Sequence, residues 1–250
     1  MKSVKNEKNA WLFKNIKSLK LIYDQELSNY LQTQKSNSNL ADYISKIFQA
    51  LDESSFLQYD HISIEFTLKN VETVKSLSLL NHPKLKELRL YEDFEKQQTK
   101  YEIIYSEKFL ENFTRLEELC LTKFGIGHLL NNENSCLFLN LVNLKYLELK
   151  NINIKNAHLN MLKGLVCLEK LVLAQSKVIK LKKNFFQNMR KLKALDLNNN
   201  ELLEFESGAF ETGLSNLETF DLFNNKISTL NDETFLGLKN LLKFNISLNF

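Results

Sequence analysis

The sequence predicts an α/β repeat solenoid, a right-handed horseshoe with parallel strands on its concave face and a partly helical N-terminal cap. Three observations carry this expectation: a short apolar motif that returns at nearly constant intervals, a period-two alternation inside that motif, and an unusual composition. The 250 residues include 48 Leu and 30 Asn but only six Gly and one Pro. So few Gly and Pro leave little for the frequent tight turns of a sandwich or barrel. The 44% hydrophobic and 25% charged content excludes a wholly disordered chain. A net charge of +3 does not mark a nucleic-acid binder.

The motif is plainest in two segments. Leu192-Lys-Ala-Leu195-Asp-Leu197-Asn-Asn-Asn200-Glu-Leu202 aligns with Leu217-Glu-Thr-Phe220-Asp-Leu222-Phe-Asn-Asn225-Lys-Ile227. Both read L-x-x-L-x-L-x-x-N-x-L. The unit returns from Leu168 and Leu144, more weakly from Leu116 and Leu85, and again from Leu241 to Asn249. The starts 85, 116, 144, 168, 192, 217 and 241 differ by 31, 28, 24, 24, 25 and 24. Within L-x-x-L-x-L the apolar residues alternate, as a short strand with one buried face requires. Asn at the ninth position turns the chain, and its amide is suited to bond backbone groups of the next turn. Asn200, Asn225 and Asn249 are therefore expected to form a structural ladder. No turn buries its own leucines, so neighbours must stack.

This pattern resembles the leucine-rich-repeat family over about residues 59–250, and from Leu168 onward its typical 24-residue class. The second halves of those turns repeat a further apolar signature: Leu181…Phe186…Met189, Phe205…Phe210…Leu214 and Leu230…Phe235…Leu238. The phenylalanines are expected to close the core under the convex arc.

Earlier turns depart from the pattern. Position nine holds Asp93, Phe124 and Ile152, so the ladder is expected to stop there. The polar segment EDFEKQQTK (92–100) and NNENSC (131–136) read as surface loops. Tyr59-Asp-His-Ile62-Ser-Ile64 reads as one more strand. Val71, Val74, Leu77 and Leu80 recur at spacing three, as one helix face, before Pro83. The solenoid is thus placed at 57–250, in about seven to nine turns, with starts near 59, 85, 116, 144, 168, 192, 217 and 241. Residues 1–56 are placed as a cap over its first apolar edge. There Ile16-Lys-Ser-Leu19-Lys-Leu21 suggests an outlying strand and Tyr43, Ile44, Ile47, Phe48 and Leu51 an amphipathic helix, with TQKSNSN (33–39) between them.

Candidate chemistry is sparse. Gly125-Ile-Gly127 lacks the third Gly and the Lys of a phosphate loop, and reads as a turn. His61, His82, His128 and His158 are scattered, and Cys120, Cys136 and Cys167 have no metal-ligand spacing. Nothing orients His128 or His158 as a base for Cys120 or Cys167. No catalytic residue, metal or cofactor is expected, and the chain is not expected to be an enzyme. The lysines at 2, 5, 8, 14, 17 and 20 read as a solvated tail, and the sequons at Asn112 and Asn245 as coincidences of an Asn-rich chain. No apolar run approaches the ~20 residues of a membrane span. With no apolar segment after the N-terminal lysines and three free thiols, the chain is expected to be cytoplasmic, or extracellular if its N-terminus is incomplete.

What remains is a surface. The outward strand positions form three columns. Position five reads Arg89, Cys120, Glu148, Val172, Asp196, Asp221, Asn245; positions three and seven add Tyr146, Tyr91 and Phe223. Aromatics and Arg are the usual interface anchors. Arg89, Tyr91, Tyr146, Glu148, Asp196, Asp221 and Phe223 are therefore the candidate binding residues. The three acids suit a protein partner with a basic segment, not a nucleic acid. The expected function is a non-enzymatic protein-binding module acting through its concave face. The alternative is an incomplete portion of a larger leucine-rich-repeat receptor, ubiquitin-ligase adaptor or signalling protein. The last turn breaks off at its ninth position, so an open apolar edge at Leu241, Phe244 and Ile246 is expected, and Phe250 is not expected to be the natural end.

Overall fold

The computed structural model describes residues 18–23, 61–68, 85–92 and 105–249. The helices expected around 43–51 and 71–80, the segment 33–39, most of the loop at 92–100 and Phe250 lie outside the described residues.

One strand opens each turn. The main sheet holds β1 (Ser18–Tyr23), β2 (His61–Leu68), β3 (Leu85–Glu92), β4 (Glu118–Thr122), β5 (Tyr146–Lys150), β7 (Lys170–Val172), β9 (Ala194–Asp196), β11 (Thr219–Asp221) and β12 (Lys243–Asn245). These nine lie side by side in that order, every pair parallel. Corresponding motif positions pair directly: Leu119 faces Leu147, and Asp196 faces Asp221. On the opposite side β6 (Asn156–Ala157), β8 (Lys180–Leu181) and β10 (Glu204–Phe205) make a small parallel sheet. A four-residue helix α1 (Gly127–Leu130) lies in the return segment of the 28-residue turn from Leu116, and a 3-10 turn (Leu159–Leu162) in that of the 24-residue turn from Leu144.

Alternation decides what is inside. The three strand leucines of each turn from Leu85 to Leu197, with Leu217, Phe220 and Leu222, are buried in one continuous core. The expected phenylalanines back them. Phe186, Phe210 and Phe235 stack one per turn, each pair of ring centres 5.9 Å apart. Leu230, expected among them, is instead 49% exposed. Among the described residues nothing packs over the turn from Leu241. Leu242, Phe244 and Leu248 are exposed there, while Leu241 and Ile246 are half-buried.

The position-nine ladder is present. Asn200 Oδ1 accepts the N–H groups of Ser176 (3.0 Å) and Val178 (3.1 Å), and its Nδ2 donates to the carbonyls of Leu173 (2.7 Å) and Leu197 (2.8 Å). Asn225 and Asn249 repeat this one and two turns on, accepting from Leu202 and Ile227. Ser176 extends the ladder backwards: its Oγ donates to the Leu149 carbonyl and accepts the Ile152 N–H. At Phe124 and Ile152, which have no side-chain polar atom, it stops.

Two further rows were not read from the sequence. Asn143, Asn216 and Asn240, each just before a first motif Leu, donate to carbonyls of the preceding turn. Position two alternates in charge: Lys86, Glu117, Lys145, Glu169, Lys193, Glu218. Glu117 is held by Lys86 (2.7 Å) and Lys145 (2.6 Å), and Lys193 pairs with Glu169 (3.0 Å). At the next turn the place falls to Leu242, 78% exposed.

Candidate functional site

The concave columns stand as the register requires, but they divide into two halves. In the first, around β3 to β7, the polar groups are largely spent on one another. Arg89 donates through Nη1 to Cys120 Sγ (3.0 Å) and through Nη2 to Glu118 Oε2 (3.0 Å). The Tyr146 hydroxyl donates to Glu148, and Lys170 Nζ sits 5.2 Å over the Tyr146 ring. Burial, the Glu148 hydrogen bond and its charge hold the Tyr146 phenol above its ordinary range. Burial also pushes the Cys120 thiol up to about 12, overriding the neighbouring Arg89. A thiol that resists ionisation is a poor nucleophile. Tyr91 stays half-buried beside Arg89 on β3, its phenol raised by burial and the nearby Glu65.

The second half, around β9 and β11, is more open. Val172 and Ala174 are buried and low, and Ala194 is small, so the floor between Tyr146 and Phe223 is shallow. Asp196 and Asp221 face each other across the register. Each also does local work: Asp196 Oδ1 accepts the Asn198 N–H (2.9 Å), and Asp221 Oδ1 the Phe223 N–H (2.8 Å). Asn245 makes the same turn with Ser247, so the turn needs an acceptor but not a charge. Burial, and after it the Asp221 charge, raises the Asp196 carboxyl above the usual range.

The other sequence motifs resolve into packing. Gly125 donates its N–H to Glu92 Oε1 (3.0 Å), and a Cβ on Gly127 would lie 2.8 Å from the Asn153 carbonyl. The His128 ring contacts the Gly125 and Tyr105 carbonyls, and His158 Nε2 the Leu130 carbonyl. Among the described residues no His–Cys hydrogen bond occurs, no group of His, Cys, Asp and Glu is arranged to hold a metal ion, and no helix is long and apolar enough to cross a membrane. A shallow cavity of about 570 Å³ lies among Lys191, Lys193, Glu218, Lys239 and Leu242; none of the sequence-predicted site residues lines it.

With that geometry in view, the family model described as leucine rich repeat matches residues 167–212 and 190–249. Residues 167–249 are leucine-rich repeats. No match is found among the curated proteins. Among solved structures, a chain of the Toll–Spatzle complex from Drosophila matches with a TM-score of 0.60 at 17% identity, over 90% of this chain and 30% of that one. A chain of the TLR13–ssRNA13 complex matches at 20% identity with a TM-score of 0.46, over 77% of this chain and 30% of that one. The likeness to the first is one of fold, a parallel-strand leucine-rich-repeat solenoid. This chain spans less than a third of the length of either.

Proposed function

We propose that this chain is a non-enzymatic leucine-rich-repeat module that binds another protein through the concave face of its sheet. The observation that carries the reading is the open stretch around β9 and β11. There Asp196 and Asp221 stand in register beside small residues, with Phe223 as an aromatic wall. Acids so placed steer a basic segment and set its position, while the aromatics supply most of the binding energy. The half around Arg89 acts mainly as a rigid flank, because its charges are already paired. The short span relative to the Toll complex chain supports the companion reading, that these turns are part of a larger receptor, adaptor or signalling protein. The three free thiols suit a reducing compartment such as the cytoplasm.

The test is capture of partners from native lysate by the wild-type chain and two variants. Asp196→Asn with Asp221→Asn keeps the turn acceptors and removes the charge; it should slow association. Phe223→Ala should mainly speed dissociation. A partner held equally by all three proteins would place the interface elsewhere.

A further inference from the structure

The rim where the chain leaves the main sheet carries a concentration of unpaired positive charge. Lys123, Lys150, Lys155 and Lys177 are all exposed, and none forms an ion pair among the described residues. The three exit segments that hold them, residues 122–127, 150–156 and 174–180, contain no Asp or Glu. The nearest acid along β5, Glu148, is engaged by Tyr146. On the opposite rim the position-two lysines pair with glutamates turn by turn, and Arg115, Arg190 and Lys239 stand exposed outside those pairs.

The backbone fixes this strip. Lys123, Asn151 and Gln175 occupy the same motif position and are all left-handed, with φ of 56°, 56° and 57°. Their N–H groups donate to the next turn, Lys123 to the Lys150 carbonyl (2.9 Å), Asn151 to Ala174 (3.1 Å) and Gln175 to Asn198 (3.1 Å). Side chains at this position therefore step along the solenoid by one strand spacing, about 4.8 Å, as Lys123 and the exposed amides of Asn151 and Gln175, while Lys150 stands one residue before this position and Lys177 and Lys155 two and four residues after it.

We infer that this rim docks an acidic, extended segment of a protein partner. Its ammonium groups match carboxylates, and its exposed amides match the peptide groups of a chain lying along the turns. The apolar residues interleaved here, Phe124, Ile126, Ile152, Ile154 and Val178, are buried. The strip thus offers no exposed ring for base stacking and no apolar anchor for a bilayer, which favours the protein partner over single-stranded nucleic acid or a membrane. The surface is distinct from the Asp196–Asp221 face and stands whether or not that face binds.

The experiment is fluorescence anisotropy of a labelled oligo-glutamate peptide against the full chain. Saturable binding is expected at low ionic strength, weakening as salt rises. Lys150→Glu with Lys155→Glu should weaken it at least about tenfold, and Lys150→Gln with Lys155→Gln by a smaller factor. Lys183→Glu with Lys239→Glu, the same charge change elsewhere, should leave it within about twofold, and Asp196→Asn with Asp221→Asn should not weaken it. Absence of peptide binding, equal loss in the two Lys→Glu pairs, or preferential binding of oligothymidylate or phosphatidylserine vesicles would overturn the inference.

Discussion

Asn200 satisfies four backbone groups at once, and Asn225 takes the same part in the next turn. Replacing either by Ala leaves buried donors and acceptors without partners, at about 1–3 kcal/mol per site. Asn198→Ala should cost under about 0.5 kcal/mol, since its backbone N–H serves the Asp196 turn whatever the side chain, and its half-exposed amide makes only local contacts with Asp196 and Asn199. Asn199→Ala falls between them for a different reason, a left-handed φ of 55° that Ala tolerates poorly. Denaturant midpoints of the four variants check the order; equal losses would refute it. Glu92 supplies a pH test. It is buried, accepts the Tyr105 hydroxyl and the Gly125 N–H, and its carboxyl is raised chiefly by burial. A raised acid holds its proton better folded than unfolded, so the native state binds more protons within the shifted window. Stability from this group is therefore greatest at acid pH and is lost as pH rises through the folded-state pKa. Glu92→Gln should flatten that part of the Tm-against-pH profile; an unchanged slope would assign it to Asp196, which shifts the same way.

A left-handed residue just before position nine recurs in every described turn from β4 on: Lys123, Asn151, Gln175, Asn199, Asn224 and Leu248. Asn accepts that conformation more readily than longer side chains. Gln175→Asn should thus stabilise the chain by a few tenths of a kcal/mol, up to about 0.5, measured by chemical denaturation. In the charge row, Glu117→Lys would set three lysines side by side and should cost about 1 kcal/mol at low salt, less at high salt. The strands and the Asn ladder were legible because burial imposes an alternation that a sequence displays directly. The charge row and the second Asn row were not, because their partners lie 24 to 31 residues apart on exposed positions with no apolar period to flag them. The left-handed column was hidden by its chemistry, since Lys123, Gln175 and Leu248 are not residues that announce a positive φ. The concave columns were readable as positions, but not the spending of Arg89 and Tyr146 on their own neighbours, which depends on side-chain reach across strands.

Across the whole molecule, each strand of the main sheet bonds only to the strands beside it. Stability is then a sum over turns and the contacts between adjacent turns. Slowest hydrogen exchange is expected where ladder and core coincide, in the strands at Leu171, Leu195 and Phe220, with faster exchange at β12, where Phe244 is exposed. Uniform protection along the array would contradict this. The same arrangement has a mechanical consequence. Inter-strand hydrogen bonds run along the long axis, so tension applied between the two ends pulls on them one strand at a time. The chain should not resist as a block loaded in shear. It should peel at low force in a sawtooth, each tooth releasing one turn of 24 residues, about 80 Å of contour length. The inner ladder turns, those of Ser176, Asn200 and Asn225, would give the tallest teeth, and the exposed turn at β12 and the turns that lack the ladder would yield first.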